Sequence, residues 1–284
     1  MDLSLKIDVV DDISAEDFKR FYLIPQKPLL IKGGIIKKTD AYTKWTIDFF
    51  KKEMGDLMVD IYDNNAVKNE TTALTKGTFK MKFANFLDII EKNEPTSLRM
   101  FLFNGFKYNP RLQNDFPKPP HLKGLPNLGF LFFGGKDTSV RMHFDIDNSN
   151  VLMTQIKGRK RVLLIAPEYS RYIYKIPFGS FTLVDFENID CEKYPALKKV
   201  KGYDFVMNDG DSLFMPSGYW HYNTYLDGGY ALSYRKMALD IRNRYNGLMN
   251  ITLRLLMDKT LTALAKEKWT NYKINKAIKN ASDS

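Results

Sequence analysis

Two stretches place two of the chain's three histidines where they could do chemistry. The first is Arg141-Met142-His143-Phe144-Asp145. On a strand, residues two apart point to the same face, so His143 and Asp145 can reach one metal ion together. The second runs Gly210-Asp211-Ser212-Leu213-Phe214-Met215-Pro216-Ser217-Gly218-Tyr219-Trp220-His221. It reads as glycine, five residues, Pro-x-Gly, two residues, histidine. Gly210 turns the chain into a strand, and Pro216 with Gly218 makes a tight turn that presents His221 at the start of the next one. Two histidines and one carboxylate on one octahedral face leave three positions open for substrate and O₂ on a non-haem Fe(II) centre. His-x-Asp by itself arises by chance about one time in four in a chain with this many aspartates. The longer string is expected on the order of once in two thousand such chains.

The Gly-x5-Pro-x-Gly-x2-His string resembles the second cupin motif. Together with His143-x-Asp145, it is similar to the JmjC/cupin-like 2-oxoglutarate oxygenases, in particular the asparaginyl hydroxylases and their bacterial cupin-like relatives. The segment Gln155-Ile156-Lys157-Gly158-Arg159-Lys160-Arg161-Val162-Leu163-Leu164-Ile165-Ala166-Pro167 strengthens the resemblance, as do Pro28-Leu29-Leu30-Ile31-Lys32-Gly33 and Lys44-Trp45. The resemblance covers about residues 18–237. It implies that His143, Asp145 and His221 hold Fe(II), with 2-oxoglutarate as co-substrate and O₂ as oxidant. Lys160 stands where the family keeps the lysine that grips the distal carboxylate of 2-oxoglutarate. Arg235 shares a strand face with Ser233; that face points inward, giving a guanidinium that grips a carboxylate, or outward, where Arg235 begins a basic tail. The family threonine three residues before the first iron-binding histidine is here Val140, with Ser139 one step earlier as the candidate co-substrate contact. A family tyrosine falls near Phe101, and Asn148 or Asn150 is a candidate polar group beside the metal.

These residues need elements to position them. Short runs rich in β-branched and aromatic residues recur at 129–133, 139–144, 151–156, 160–165, 212–215, 222–226 and 230–237. Turn residues such as Gly134-Gly135, Lys157-Gly158 and Asp227-Gly228-Gly229 separate them. Strands this short and closely spaced predict a sandwich or barrel rather than βαβ units. Upstream, a helix capped by Ser14 is expected over 11–21, a strand at 28–32, helices over 46–54 and 82–93, and strands at 57–62 and 97–103. Five prolines make 110–126 an irregular crossing segment. The expected class is mainly β. A double-stranded β-helix (jelly-roll or cupin) core at 128–240 follows N-terminal α/β elements at 1–127 and precedes C-terminal helices at 241–284.

The 284 residues are 44% hydrophobic and 27% charged, which excludes a disordered chain or a disulfide scaffold. No apolar run approaches the roughly 20 residues of a membrane helix, and the N-terminus lacks the apolar stretch of a signal peptide. A lone cysteine, Cys191, fits a reducing compartment, so a cytoplasmic protein is expected. Flanked by Asp190 and Glu192, it is a poor nucleophile. His121, in the proline-rich crossing, is a weak third candidate ligand. Of the net charge of +10, +7 falls in residues 235–284. The resemblance implies a homodimer through C-terminal helices, about residues 243–278; the rival is an acidic partner on the tail's lysines and arginines. Those cations lack aromatic interleaving, which argues against nucleic acid. The expected activity is hydroxylation of a C–H bond in a protein, peptide or small molecule. Two rivals stay open: a cupin using its metal without 2-oxoglutarate, and a catalytically silent binding module.

Overall fold

The computed structural model describes residues 1–67, 77–124, 126 and 128–282. Its strands, in chain order, are β1 (Asp2–Leu5), β2 (Asp8–Val10), β3 (Leu29–Lys32), β4 (Met58–Asp63), β5 (Phe79–Lys82), β6 (Leu98–Phe103) and β7 (Gly129–Gly134). They continue with β8 (Ser139–His143), β9 (Asn150–Lys157), β10 (Lys160–Ile165), β11 (Lys201–Met207), β12 (Asp211–Met215), β13 (Trp220–Tyr225) and β14 (Gly229–Lys236). Two mixed sheets result, one in the order β1-β11-β10-β13-β8 and one in the order β2-β3-β12-β9-β14-β7-β6-β4-β5. A mainly β fold is what the sequence predicts, and it is what forms.

Alternation along β9 and β14 explains how both strands stay buried on two sides. Leu152, Ile156, Tyr230, Leu232 and Tyr234 face the N-terminal helices and join a core with Phe50, Phe83 and Phe133. Val151, Met153 and Ala231 face the other way and pack with Val162, Leu164 and Leu213. Phe50 is the pivot of the outer layer, meeting Phe133 and Tyr230 edge-on at 5.4 Å each. Each fully buried aromatic of this kind contributes on the order of 2–3 kcal/mol of transfer free energy. The helix that carries it, Ile47–Met54, starts at Thr46, whose hydroxyl accepts from the Phe49 N–H at 3.1 Å. The helix Phe83–Lys92 ends at Asn93 in the left-handed region.

Some expectations shift. Ser14 caps as predicted, accepting from the Asp17 N–H at 3.0 Å. Yet the regular helix is only Ala15–Phe18 and continues as a π turn, Lys19–Leu23. β11 has no counterpart in the sequence pattern, because glycine and aspartate interrupt its apolar run. It forms because β10 offers a complete antiparallel edge, with Arg161 and Asp204 paired across it at 2.6 Å.

After Asp240, which caps Ile241–Met249 by accepting from the Asn243 N–H, the chain is helical to residue 282. A π turn lies at Asn250–Arg254, and the last helix, Leu255–Ser282, breaks at Ala265. The break lets the two parts fold against each other. Lys273 and Asp258 form a fully buried ion pair at 2.7 Å, and the Trp269 indole N–H donates to the same carboxylate oxygen at 2.8 Å. Losing one member of such a pair costs about 3–5 kcal/mol, since the other is left as a bare buried charge.

Candidate active site

His221 reaches its place through the turn that precedes β13. Gly218 sits at φ +76°, a conformation that side chains rarely adopt. The Ser217 N–H donates to Asn150 Oδ1 and to Gln26 Oε1, both at 3.1 Å, and the Ser217 hydroxyl donates to the Asn148 carbonyl. Asn150, fully buried, therefore braces the turn rather than facing the metal side. Across the sheet, His221 stands opposite His143 in the β13–β8 register, with ring centroids 4.1 Å apart.

The backbone sets both histidine tautomers. His143 Nδ1 lies 2.7 Å from the Arg141 carbonyl and His221 Nδ1 lies 3.3 Å from the Tyr219 carbonyl. A carbonyl only accepts, so each Nδ1 carries the proton and each Nε2 keeps its lone pair. Burial, with His221 alongside, pushes the His143 imidazole down to about 3, and burial lowers His221 as well. Both rings are thus neutral at ordinary pH.

Asp145 completes the set, and one ligand atom from each of the three residues lies within 4.8 Å of the others. Burial alone would raise its carboxyl, but Arg235 and the two histidines outweigh that and hold it at about 2. Arg235 Nη2 donates to Asp145 Oδ1 at 2.8 Å and Nη1 donates to Asp147 Oδ1 at 2.9 Å. Two neutral imidazole nitrogens and an ionised carboxylate, gathered in a buried pocket, are the donor set a divalent transition metal takes. The residues fit Fe(II).

The three line a cavity of about 1220 Å³ together with residues of both sheets. Lys160 stands on its wall, 2% exposed, with Met153 Sδ at 3.9 Å and the face of Tyr225 at 4.3 Å from its ammonium. Burial brings its pKa down to about 7. A buried ammonium with no carboxylate among the described residues fits an incoming acid, which is what 2-oxoglutarate would bring. Ser139 also lines the cavity, its hydroxyl donating to Glu187. Arg235 points inward, but both of its Nη groups are engaged by Asp145 and Asp147 rather than left for a co-substrate. His121 stays apart, its Nε2 2.9 Å from the Ile13 carbonyl and its ring edge-on to Phe18. Cys191 is half-buried, 3.7 Å from the N-terminal amine.

Sequence reasoning passed over Arg99, a cavity residue 7% exposed. Its Nε donates to Asn64 Oδ1 at 2.9 Å, and its guanidinium lies 4.8 Å from the Phe101 ring and 5.7 Å from that of Tyr62. The signal was there: a single charge inside the apolar strand Leu98–Phe103. Phe101, the nearby expected contact, lines the same cavity and packs against Tyr62 with the rings tilted at 44° and their centroids 4.2 Å apart.

The model of the Cupin-like domain family matches residues 15–236. The tRNA wybutosine-synthesizing protein 5 of Gallus gallus is 25% identical over 236 residues, covering 77% of this chain and 73% of that protein. The JmjC domain-containing protein D of Dictyostelium discoideum is 25% identical over 252 residues, covering 77% and 53%. The lysine-specific demethylase 8 of Xenopus tropicalis is 24% identical over 234 residues, covering 78% and 50%. The chain thus spans about half the length of the last two relatives.

Proposed function

Because this chain belongs to the Cupin-like domain family, we propose that its cavity houses an Fe(II)- and 2-oxoglutarate-dependent oxygenase that hydroxylates a substrate C–H bond. The observation that carries the reading is the pairing, within one cavity, of the His143–Asp145–His221 set with the uncompensated ammonium of Lys160. When bound, Fe(II) with 2-oxoglutarate and O₂ supplies the oxidising power, and 2-oxoglutarate leaves as succinate and CO₂.

The chain's own residues bind, orient and exclude water. His143 and His221 offer Nε2 because the Arg141 and Tyr219 carbonyls hold the protons on Nδ1. Asp145 would supply the carboxylate, held in orientation by Arg235 through Oδ1. Lys160 takes a carboxylate, with the aromatic face of Tyr225 as its lid against water. Ser139 is a second co-substrate contact in this reading. We assign Arg235 to the metal-ligand loop, since the two aspartates occupy it. The division at 1–127, 128–240 and 241–284 and a cytoplasmic location belong to the same proposal. No helix among the described residues is long and apolar enough to cross a membrane.

An anaerobic titration with Fe(II) and then 2-oxoglutarate tests the reading. A visible metal-to-ligand charge-transfer band is expected. Iron uptake without a band would favour a cupin that works without 2-oxoglutarate, and no uptake a silent binding module.

The names of the relatives include a tRNA-modifying protein and a lysine demethylase. We therefore propose a macromolecular substrate, RNA or protein, and do not carry forward the expectation against nucleic acid. The tail supports a second copy of the chain as partner. Its outward faces expose Ile241, Tyr245, Leu248, Leu256 and Leu264, the last at 78%, and clustered exposed apolar side chains mark interaction sites. Sedimentation of the wild type should give a dimer, and the double change Leu256→Glu with Leu264→Glu a monomer. A wild type that sediments as a monomer would end the dimer proposal.

A further inference from the structure

The carboxylate ligand sits on a loop, 145–148, that is gripped from two directions. From the barrel side Arg235 holds Asp145 and Asp147. From the other side comes the C-terminal segment, to which the family resemblance implied only a role in dimerisation. The Asn250 side-chain N–H donates to the Ile146 carbonyl at 3.0 Å, between the two aspartates. Arg254 Nη1 donates to Asn250 Oδ1 at 2.6 Å. A guanidinium only donates, so Arg254 fixes the amide with its NH₂ group toward the loop. Asn250 is 7% exposed, and its bond forms where the helix opens into the π turn Asn250–Arg254, a departure from α geometry often found at functional sites.

Gly247, one turn earlier, shows how close the approach is. A Cβ there would stand 2.2 Å from the Asp147 carbonyl oxygen and 2.7 Å from its carbon. Only glycine lets the helix backbone come down onto the loop. The contact is continuous with the cavity itself, because Ile251, Thr270, Ile274 and Ile278 of the same segment line it. Ala277 and Ala281 are buried in the same region.

We propose that the C-terminal helices are part of the active site in cis, and that Asn250, oriented by Arg254 and admitted by Gly247, is a positioning residue for Asp145. The inference rests on the reading of His143, Asp145 and His221 as the metal site. It makes the geometry of that site depend on a segment more than 100 residues away in sequence. The Ile146 carbonyl belongs to the peptide that joins Ile146 to Asp147, so a loosened Asn250 lets the whole 145–148 loop shift and carries the Asp145 carboxylate away from the two histidines.

The test uses the full chain, stripped of metal and titrated with Co(II), whose visible ligand-field bands report the geometry of its ligands. Wild type, Asn250→Ala, Gly247→Val and, as an exposed tail control outside the apolar face, Asn280→Ala would be compared. For the first two variants the expected result is Co(II) affinity about 10- to 100-fold weaker, the range typical of lost partners of metal ligands. Their bound spectra should also change, while Asn280→Ala matches wild type. A brace for stability alone would lower the melting temperature and leave the bound spectrum unchanged, which overturns the proposal. If Gly247→Val does not fold, Asn250→Ala, which introduces no overlap, decides. Unaltered affinity and spectrum in Asn250→Ala overturns it too. A wild type that takes up no Co(II) would remove the metal-site reading, and the inference with it.

Discussion

Replacing His143 or His221 with alanine should weaken Fe(II) binding by well over about 100-fold and leave no measurable turnover of 2-oxoglutarate. Loss of a mere outer partner already costs 10- to 100-fold in metal affinity, so losing a direct ligand must exceed it. The effect should be chemical rather than structural, because both imidazoles are neutral in the buried pocket and their removal strands no charge. Asp145 needs a different substitution. Asp145→Ala would leave Arg235, already short of a partner at its buried Nε, with only Asp147. Asp145→Asn keeps an oxygen for the guanidinium and removes the negative charge the metal requires. Calorimetric titration of iron under argon, alongside thermal melts, checks both. Wild-type iron affinity in His143→Ala would overturn the assignment of the trio.

Changing Lys160 to methionine should weaken 2-oxoglutarate binding by about 30-fold or more, within the range for truncating one partner of a buried charge pair. Iron affinity should be unchanged, since none of the three metal ligands contacts Lys160 through a hydrogen bond. Stability of the ligand-free protein should hold or rise, because the change removes a buried ammonium without a counter-ion. The pH dependence follows from the depressed pKa of about 7, against 10.5 in the unfolded chain. Below pH 7 both states carry the proton, and burying it opposes folding in full. Between about 7 and 10.5 the unfolded chain binds more protons than the folded one, so wild-type stability rises with pH through that window. Lys160→Met should lack this rise. The ligand prefers the ammonium, so 2-oxoglutarate affinity should fall by about tenfold per unit as pH climbs above 7. Calorimetry in buffers of different ionisation enthalpy should show proton uptake on binding. Equal 2-oxoglutarate affinity in wild type and Lys160→Met would remove Lys160 from the co-substrate site.

Much of the site was legible in the residues themselves. The two-residue period of a strand pairs His143 with Asp145, although the strand ends at His143 and Asp145 lies on the loop just beyond it. His221 follows from a Pro-x-Gly turn whose geometry glycine dictates at Gly218. Lys160 came from the resemblance, and its strand from an uninterrupted apolar run. These are local facts, carried by neighbours in sequence. β11 was not legible for the opposite reason. Its residues favour no strand until β10 supplies the edge and Asp204 meets Arg161.

Arg235 marks the boundary. Alternation said that it shares a face with Ser233, but not which face. That was decided when Tyr230, Leu232 and Tyr234 went to the outer core with Phe50 and Phe133, sending Ser233 and Arg235 into the cavity. There the guanidinium met Asp145 and Asp147, about 90 residues upstream. Arg99 and Asn250 belong to the same class, as a charge in an apolar strand and an amide in a helical tail. Sequence by itself determined which side chains can bind a metal, because that depends on residue type and short-range backbone period. Only the tertiary structure decided which distant groups hold those ligands in place, because a hydrogen bond needs its partners within about 3 Å and only packing brings them there.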